Sequence, residues 1–372
     1  MLHQSELYMN VKRKIRIAIL FGGKSAEHEV SIQSAKNVYK SLDKNKYESV
    51  LIGIDKKGIW HQLNEKYLLE ASFSQQQSFQ RTSEVSLIVK GGNSLVISSV
   101  VTSFENIDVV FPVLHGPFGE DGIVQGALQL LNIPYVGPGV LGSAVGMDKD
   151  VTKRLLRDAG IPVSKFLVFR KSEAISSFFQ IKNELGVPFF IKPANLGSSI
   201  GVSKVHDEKE FKEAVTEAFL YDTKILVEEY IKGREIEISV LGNEDPIVSI
   251  PGEIMATHEF YDYKAKYLDE NGAKLEIPAK LSDREIKEIQ SLAKKTFQAL
   301  CLEGMARIDF FLSEDKTFYV NEANTIPGFT NISMYPKLWE ASGIAYPALV
   351  DKLIQLAMER HNRQQSIETS LK

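Results

Sequence analysis

"VPFFIKPANLGSSIGVSKV", Val187 to Val205, reads as two strands joined by a Gly-Ser loop. Gly197, Ser198, Ser199 and Gly201 make a tip of small residues whose backbone N–H groups can face an anion, and Lys192 on the incoming strand adds charge. Tips of this composition are also ordinary turns, so the loop needs support from elsewhere in the chain. Directly downstream, "EKEFKEAVTEAFL" has the spacing of a helix and "KILVEEYIKG" that of a strand running into a connector. The stretch therefore belongs to an α+β module, placed at residues 141–236, that follows a helix at "MDKDVTKRLLRDAG".

The support comes from "ARIDFF" and "YVNEANTIPGF". Residues two apart in a strand share a face, so Glu322 and Asn324 point the same way, and Asp309 can join them from a neighbouring strand. Ile308, Phe310 and Val320 make these acids part of apolar strands, where an unpaired carboxylate is costly. Acids in such strands are often only salt-bridged. Arg307 beside Asp309 and the Thr-Ile-Pro-Gly turn favour a site that holds negative charge. One or two carboxylates with an amide, completed by water and substrate phosphates, suit Mg2+ better than zinc, which prefers His or Cys.

On the N-terminal side, "IRIAILFGG" from Ile15 is a strand stopped by two glycines, and "SAEHEVSIQSAKNVYKSL" has helical apolar spacing. "YESVLIGID", "IDVVFPVLHG" and a helix at "VQGALQLLNI" continue the alternation, which predicts a parallel, open α/β layer over residues 15–140. Residues 61–105 are polar and rich in Ser and Gln, and read as a peripheral excursion. On the C-terminal side, residues 237–362 hold long strands, with helices at "DREIKEIQSLAKKTFQAL" and "YPALVDKLIQLAMERH". Residues 1–14 and 363–372 read as tails. "GPGVLG", Gly137 to Gly142, matches a dinucleotide-binding spacing, but the acid ~20 residues on is Asp158, inside a helix, so the pattern fails its own test. In "EFYDYKAKYLDENGAK", Glu259 to Lys274, Phe260, Tyr263 and Tyr267 lie on the stripe of a short amphipathic helix.

Composition sets outer bounds. The 372 residues allow two or three domains at roughly 150 each. A net charge of −4 without any long basic block gives no sign of a nucleic-acid partner, and no apolar run approaches the ~18 residues of a membrane-spanning helix. The single cysteine, Cys301, rules out an internal disulfide and fits a reducing compartment, and the first fourteen residues lack an apolar secretory core; a cytoplasmic location is expected.

Taken together, "FGGKSAEHEVS", "LHGPFGEDG", "MDKDVTK", "FFIKPANLGSSIGVSKV", "FYDYKAKY", "ARIDFF" and "NEANTIPGFT" resemble, in order and spacing, the D-alanine:D-alanine ligases of the ATP-grasp superfamily. The resemblance runs from Ile15 to about residue 360. It implies a three-domain ATP-grasp fold with an N-terminal parallel α/β (pre-ATP-grasp) domain, and ATP gripped between the other two. It also implies that ATP and two D-alanines give ADP, phosphate and the peptidoglycan dipeptide through a D-alanyl phosphate, in a protein that is commonly a homodimer.

The resemblance assigns roles residue by residue. Two Mg2+, or Mn2+ in their place, fall to Asp309, Glu322 and Asn324. Lys149, Lys192 and the Ser198–Ser199 loop take phosphates, and Lys266 closes on the γ-phosphate. Glu228 and the backbone at Glu229 and Ile231 read adenine, and Glu235 the ribose. Glu27 anchors the first ammonium with His115 beside it. Arg307 and the Gly328 N–H hold the oxyanion, and Ser333 with Lys266 receives the second carboxylate. Ser198 and Tyr267 extend a hydrogen-bond chain from Glu27, and the tyrosine-lysine stretch becomes a lid over the site. Two other functions are compatible with the framework. One is a ligase that joins D-alanine to D-lactate or D-serine, whose known forms lack this lid sequence. The other is a nucleotide sensor without catalysis, which would have no need of Arg307 or the metal acids.

Overall fold

The protein is described here by a computed structural model, which covers residues 13–70, 83–89, 95–99, 104–256 and 273–368. The lid stretch with Lys266 and Tyr267 lies outside the described residues, as does the helical stripe expected on it.

The chain opens with β1 (Ile15–Gly22), α1 (His28–Ser41), β2 (Tyr47–Ile54), β3 (Trp60–Leu63), α2 (Glu65–Glu70), β4 (Ser83–Val89), β5 (Leu95–Ser99), β6 (Phe104–Ile107), β7 (Val109–Val113) and α3 (Ile123–Leu130). The strands form one sheet in the order β6-β5-β4-β3-β2-β1-β7. β1 pairs in parallel with both β2 and β7, as the alternating pattern predicts. It is buried on both faces, which explains its unbroken apolar run. Ile17, Ile19 and Phe21 pack with α1, and Ala18 and Leu20 pack with Val124 and Leu128 of α3. Residues 61–105 are more than an excursion: β3 to β6 widen this sheet as an antiparallel meander. Such strands need only one apolar face, as exposed Glu84 beside buried Val85 illustrates, so their sequence signal is weak.

Next come α4 (Val140–Met147), α5 (Lys149–Asp158), β8 (Phe166–Arg170), α6 (Phe178–Leu185), β9 (Phe189–Pro193), β10 (Ser203–Val205), α7 (Glu208–Tyr221) and β11 (Lys224–Glu229). The Gly137–Gly142 pattern is the entry to α4. Gly142 is there for packing: a Cβ on it would stand 2.5 Å from the Cys301 carbonyl oxygen. The four strands pair antiparallel as β10-β9-β11-β8 over a core of Phe178, Phe189, Phe211, Ile225 and Val227. The β9–β10 hairpin carries the Gly-Ser loop at its tip, with Ser203 opposite Ile191.

The last part holds β12 (Gly233–Gly242), β13 (Ile247–Val248), β14 (Gly252–Ala256), β15 (Ala273–Glu276), α8 (Asp283–Ala299), β16 (Gly304–Ser313), β17 (Phe318–Asn324), α9 (Met334–Ala341) and α10 (Tyr346–Gln365). The passage from the four-stranded sheet to this one comes between Glu229 and Gly233, so the expected boundary at 236 falls inside β12. The sheet runs β15-β14-β12-β16-β17, with β13 beside β12. α8 covers one face, where Ile289, Ala293 and Phe297 meet Ile236, Ile238, Ile308 and Phe310. Strict alternation in β16 turns Arg307 and Asp309 to the opposite face. The N-terminal and C-terminal parts share one apolar core, in which Ile17, Phe21 and Phe111 join Phe329, Tyr335, Trp339 and Leu353. Arg360 of α10 strengthens that junction by donating to the carbonyls of Tyr135 and Gly137.

Candidate active site

Three groups of side chains meet where the sheets face one another. The first lies at the end of β1 and β7. Glu27, at the N-cap of α1, is buried, and the Ser198 hydroxyl donates to its Oε1. Gly116, with φ +75°, lets the loop after β7 approach closely: a Cβ there would stand 2.9 Å from Glu27 Oε2. Ser198 and Ser199 both have positive φ, a strained turn that brings the Gly-Ser tip across to the N-terminal part. His115 is buried beside Glu27, with Nδ1 3.0 Å from the Ile326 carbonyl and 3.6 Å from Glu120 Oε1. Burial works against the charge on His115, yet Glu120, Glu27 and the Ile326 carbonyl together hold its pKa above the ordinary value. The Glu120 carboxyl is itself pushed up by burial and by Glu27.

The second group fills the inner face of the four-stranded sheet. Lys149 donates to the Leu196 carbonyl (2.7 Å) and stands 3.9 Å from Glu322 Oε2. Burial lowers its pKa, with Glu322 opposing and Lys192 adding to the shift. Glu228 lies between two lysines, Lys192 at 2.8 Å from Oε2 and Lys153 at 3.5 Å from Oε1. Burial would raise the Glu228 carboxyl, but the two lysines outweigh it and bring it below its usual range. Glu229 closes the strand: its N–H donates to the Lys165 carbonyl (3.1 Å) and its Oε1 accepts from the Lys165 N–H (2.6 Å).

The third group is a row of acids across the C-terminal sheet. Glu237 on β12, Asp309 on β16 and Glu322 on β17 are direct cross-strand neighbours, and Arg307 stands opposite Asn324. Arg307 grips Asp309 with two bonds of 2.7 Å and reaches Glu237 at 2.9 Å. Although burial opposes its charge, Asp309 and Glu237 hold Arg307 well above the ordinary guanidinium value. The register slips between Asp309 and Phe310, so Asn321 is an extra residue on β17, 3.5 Å from Lys192 Nζ. That bulge turns Val320 into the core while Glu322 and Asn324 face the site. Asn324 Nδ2 donates to Asp309 Oδ2 (2.9 Å), which leaves its amide oxygen as an acceptor. Asp309, Glu322 and Asn324 offer hard oxygen donors at one end of the phosphate-facing lysines, a set that fits Mg2+ or Mn2+. Among the described residues no cluster of three or more His, Cys, Asp or Glu side chains has metal-binding geometry, so this set is incomplete without further oxygens.

Beyond these groups, Glu235 sits on β12 two residues before Glu237 and on the same face, and Ile231 lies in the connector after β11. Gly328 packs against Ser333, whose Oγ accepts from the Thr330 N–H (3.0 Å). Glu120, Lys153, Glu237 and Asn321 belong to the site and escaped the sequence reading. Glu237 had a signal, an acid alternating with apolar residues in "REIEISVLG" like that of Asp309.

Residues 16–138 match the family model described as D-ala D-ala ligase N-terminus, and residues 155–355 the one described as D-ala D-ala ligase C-terminus. The chain belongs to the D-alanine:D-alanine ligase family. A relative from Oceanobacillus iheyensis, named D-alanine--D-alanine ligase, is 51% identical over 362 residues, covering 96% of this chain and 99% of its own. The solved D-alanine-D-alanine ligase from Coxiella burnetii is 42% identical with a TM-score of 0.85, covering 95% of this chain and 96% of its own. The VanG D-Ala:D-Ser ligase from Enterococcus faecalis is 36% identical with a TM-score of 0.82, covering 93% of this chain and all of its own (100%).

Proposed function

We propose that the protein is an ATP-dependent ligase that joins two D-alanines into D-alanyl-D-alanine for peptidoglycan synthesis, working in the cytoplasm. The observation that carries this is the meeting of Glu27, Ser198 and His115 with the Arg307–Asp309–Glu322 row and the buried lysines. An amine anchor, a phosphate cradle and an oxyanion-stabilising arginine are together what acyl-phosphate chemistry requires.

Adenine is read by Glu228, the Ile231 N–H and the Glu229 carbonyl, since the Glu229 N–H is already used within the sheet. Glu235 takes the ribose. Lys149 and Lys192 turn from their carboxylate and carbonyl partners to the phosphates, with Ser198, Ser199 and the lid residue Lys266. Asp309, Glu322 and Asn324 would hold two Mg2+, or Mn2+ in their place, and the ions would supply positive charge against the phosphates.

A carboxylate oxygen of the first D-alanine attacks the γ-phosphorus and ADP leaves. The amine of the second attacks the resulting acyl carbon, loses one proton, and phosphate departs. Arg307 and the Gly328 N–H receive the oxyanion of that second step, and Ser333 with Lys266 holds the incoming carboxylate. Tyr267 continues the Glu27–Ser198 chain and excludes water when the lid is shut. The division into a substrate domain and two ATP-grasp subdomains follows the three sheets. An exposed apolar stripe of Ile123, Ala127 and Leu130 on α3, with Leu141 on α4, supports a homodimer.

Likeness to a D-Ala:D-Ser ligase favours one competing product, so acceptors are tested together. With ATP, Mg2+ and D-alanine, phosphate and D-alanyl-D-alanine are expected to form in equal amounts, and D-serine and D-lactate to compete poorly. Preferred use of D-serine or D-lactate replaces the acceptor assignment; no phosphate release with D-alanine removes the proposal.

A further inference from the structure

Ser34 lies in the middle of α1, fully buried, and no substrate contact has been assigned to it. Its Oγ is 3.1 Å from the Phe329 nitrogen and 3.3 Å from His115 Nε2, while His115 Nδ1 is 3.0 Å from the Ile326 carbonyl. The backbone partners fix the direction of the two end bonds. A carbonyl can only accept, so Nδ1 carries the proton. A backbone N–H can only donate, so Ser34 Oγ accepts from Phe329, and the same oxygen bridges to His115 Nε2. The chain runs from the Phe329 N–H through Ser34 and His115 to the Ile326 carbonyl. It therefore begins and ends on one four-residue segment, Ile326-Pro327-Gly328-Phe329.

Gly328 is enclosed by this ring of hydrogen bonds. Pro327, before it, has a fixed φ and no N–H, so the Gly328 amide plane is set by what holds residues 326 and 329. The other side of Phe329 is held as well: its carbonyl accepts from Asn37 Nδ2 (2.9 Å) and from the Tyr346 hydroxyl (2.8 Å), and its ring meets Phe111, Tyr335 and Tyr346. We infer that Ser34 is a positioning residue for ligation, aiming the Gly328 N–H at the oxyanion by tying His115 to the backbone of that segment. The inference rests on the proposed function, in which Gly328 supplies an oxyanion donor.

A buried serine can also serve only to satisfy its neighbours, and Ser31 on the same helix gives the comparison. It is equally buried, accepts from the Gly22 N–H (2.7 Å) and donates to the Val113 carbonyl, all within the first sheet and α1. Ser34→Ala removes the relay without adding volume. It is expected to lower kcat by roughly 10- to 100-fold, less than the ~10²- to 10³-fold cost of a lost oxyanion donor because the Gly328 N–H is only misaimed, with KM for ATP within about twofold. Ser31→Ala is expected to lower the melting temperature by a similar amount and to keep kcat.

Ser34→Cys retains the shape and a weak S–H, so its kcat should lie between wild type and alanine; it carries the test if the alanine variant does not fold. In a double variant with His115→Ala, the loss should not exceed that of the larger single change, because the two residues act through one chain. A Ser34→Ala kcat within about twofold of wild type overturns the inference, as do equal kcat losses in Ser31→Ala or strictly additive losses in the double variant. Inactive wild-type protein would instead remove the functional proposal beneath it, so the two failures are distinguishable.

Discussion

Lys153 shows what one buried charge can control. Its ammonium donates to Ser164 Oγ (2.9 Å), stands 3.5 Å from Glu228 Oε1, and shares that carboxylate with Lys192. Burial lowers its pKa to about 8, with Glu228 opposing the shift and Lys192 adding to it. The sign follows directly. Below pH 8 the charged Lys153 competes with Lys192 for Glu228 and so eases the turn of Lys192 to phosphate. Above it, neutral Lys153 hands the carboxylate to Lys192. KM for ATP should therefore rise several-fold as pH passes 8, while Lys153→Arg, which stays charged, gives a flat profile; steady-state kinetics at saturating D-alanine measure both. A wild-type KM that does not change through pH 8 contradicts the scheme. Asp309, Glu322 and Asn324 were legible in the sequence because carboxylates and amides interrupt apolar strands there. Lys153 and Ser34 were not, because a lysine and a serine on amphipathic helices look ordinary until distant segments pack against them.

Strands and helices show the same division. The double-sided burial of β1 and the helical spacing of α1, α7, α8 and α10 can be read from residue pattern. The bulge at Asn321 cannot: "VNEAN" looks like plain alternation, yet Val320 and Glu322 face opposite ways because the extra residue resets the pleat. α9 was also missed, since eight residues with no side-chain cap bond give little periodicity to count. On α3, Val124 and Leu128 enter the core while Ile123, Ala127 and Leu130 form a second apolar stripe that water covers, with Leu130 86% exposed. If that stripe is the dimer contact, Ile123→Glu with Leu130→Glu should halve the mass seen in sedimentation and leave the melting temperature near that of wild type. A double variant that sediments like wild type would assign the contact to another surface.

The three sheets were legible in outline from the order of motifs, but not the way their cores are joined. Phe111 on β7 and Phe329 in the C-terminal part stack edge to face 6.0 Å apart within one shared cluster, a contact between residues too far apart in the chain for any local pattern to announce. Residues 15–140 expressed alone should therefore not fold stably. Weak amide protection in hydrogen exchange is the expected result, and a cooperative melt of that fragment would contradict it. The four-stranded sheet has a core of its own and meets the rest mainly through two short connectors and polar contacts. The cleft thus lies between two units with separate cores. Ser198 stands at the tip of the four-stranded unit and Glu27 on the N-terminal part, so their hydrogen bond is a clasp between two separate cores; on the proposed reading, a nucleotide held by the first unit would thereby complete the amino-acid pocket of the second.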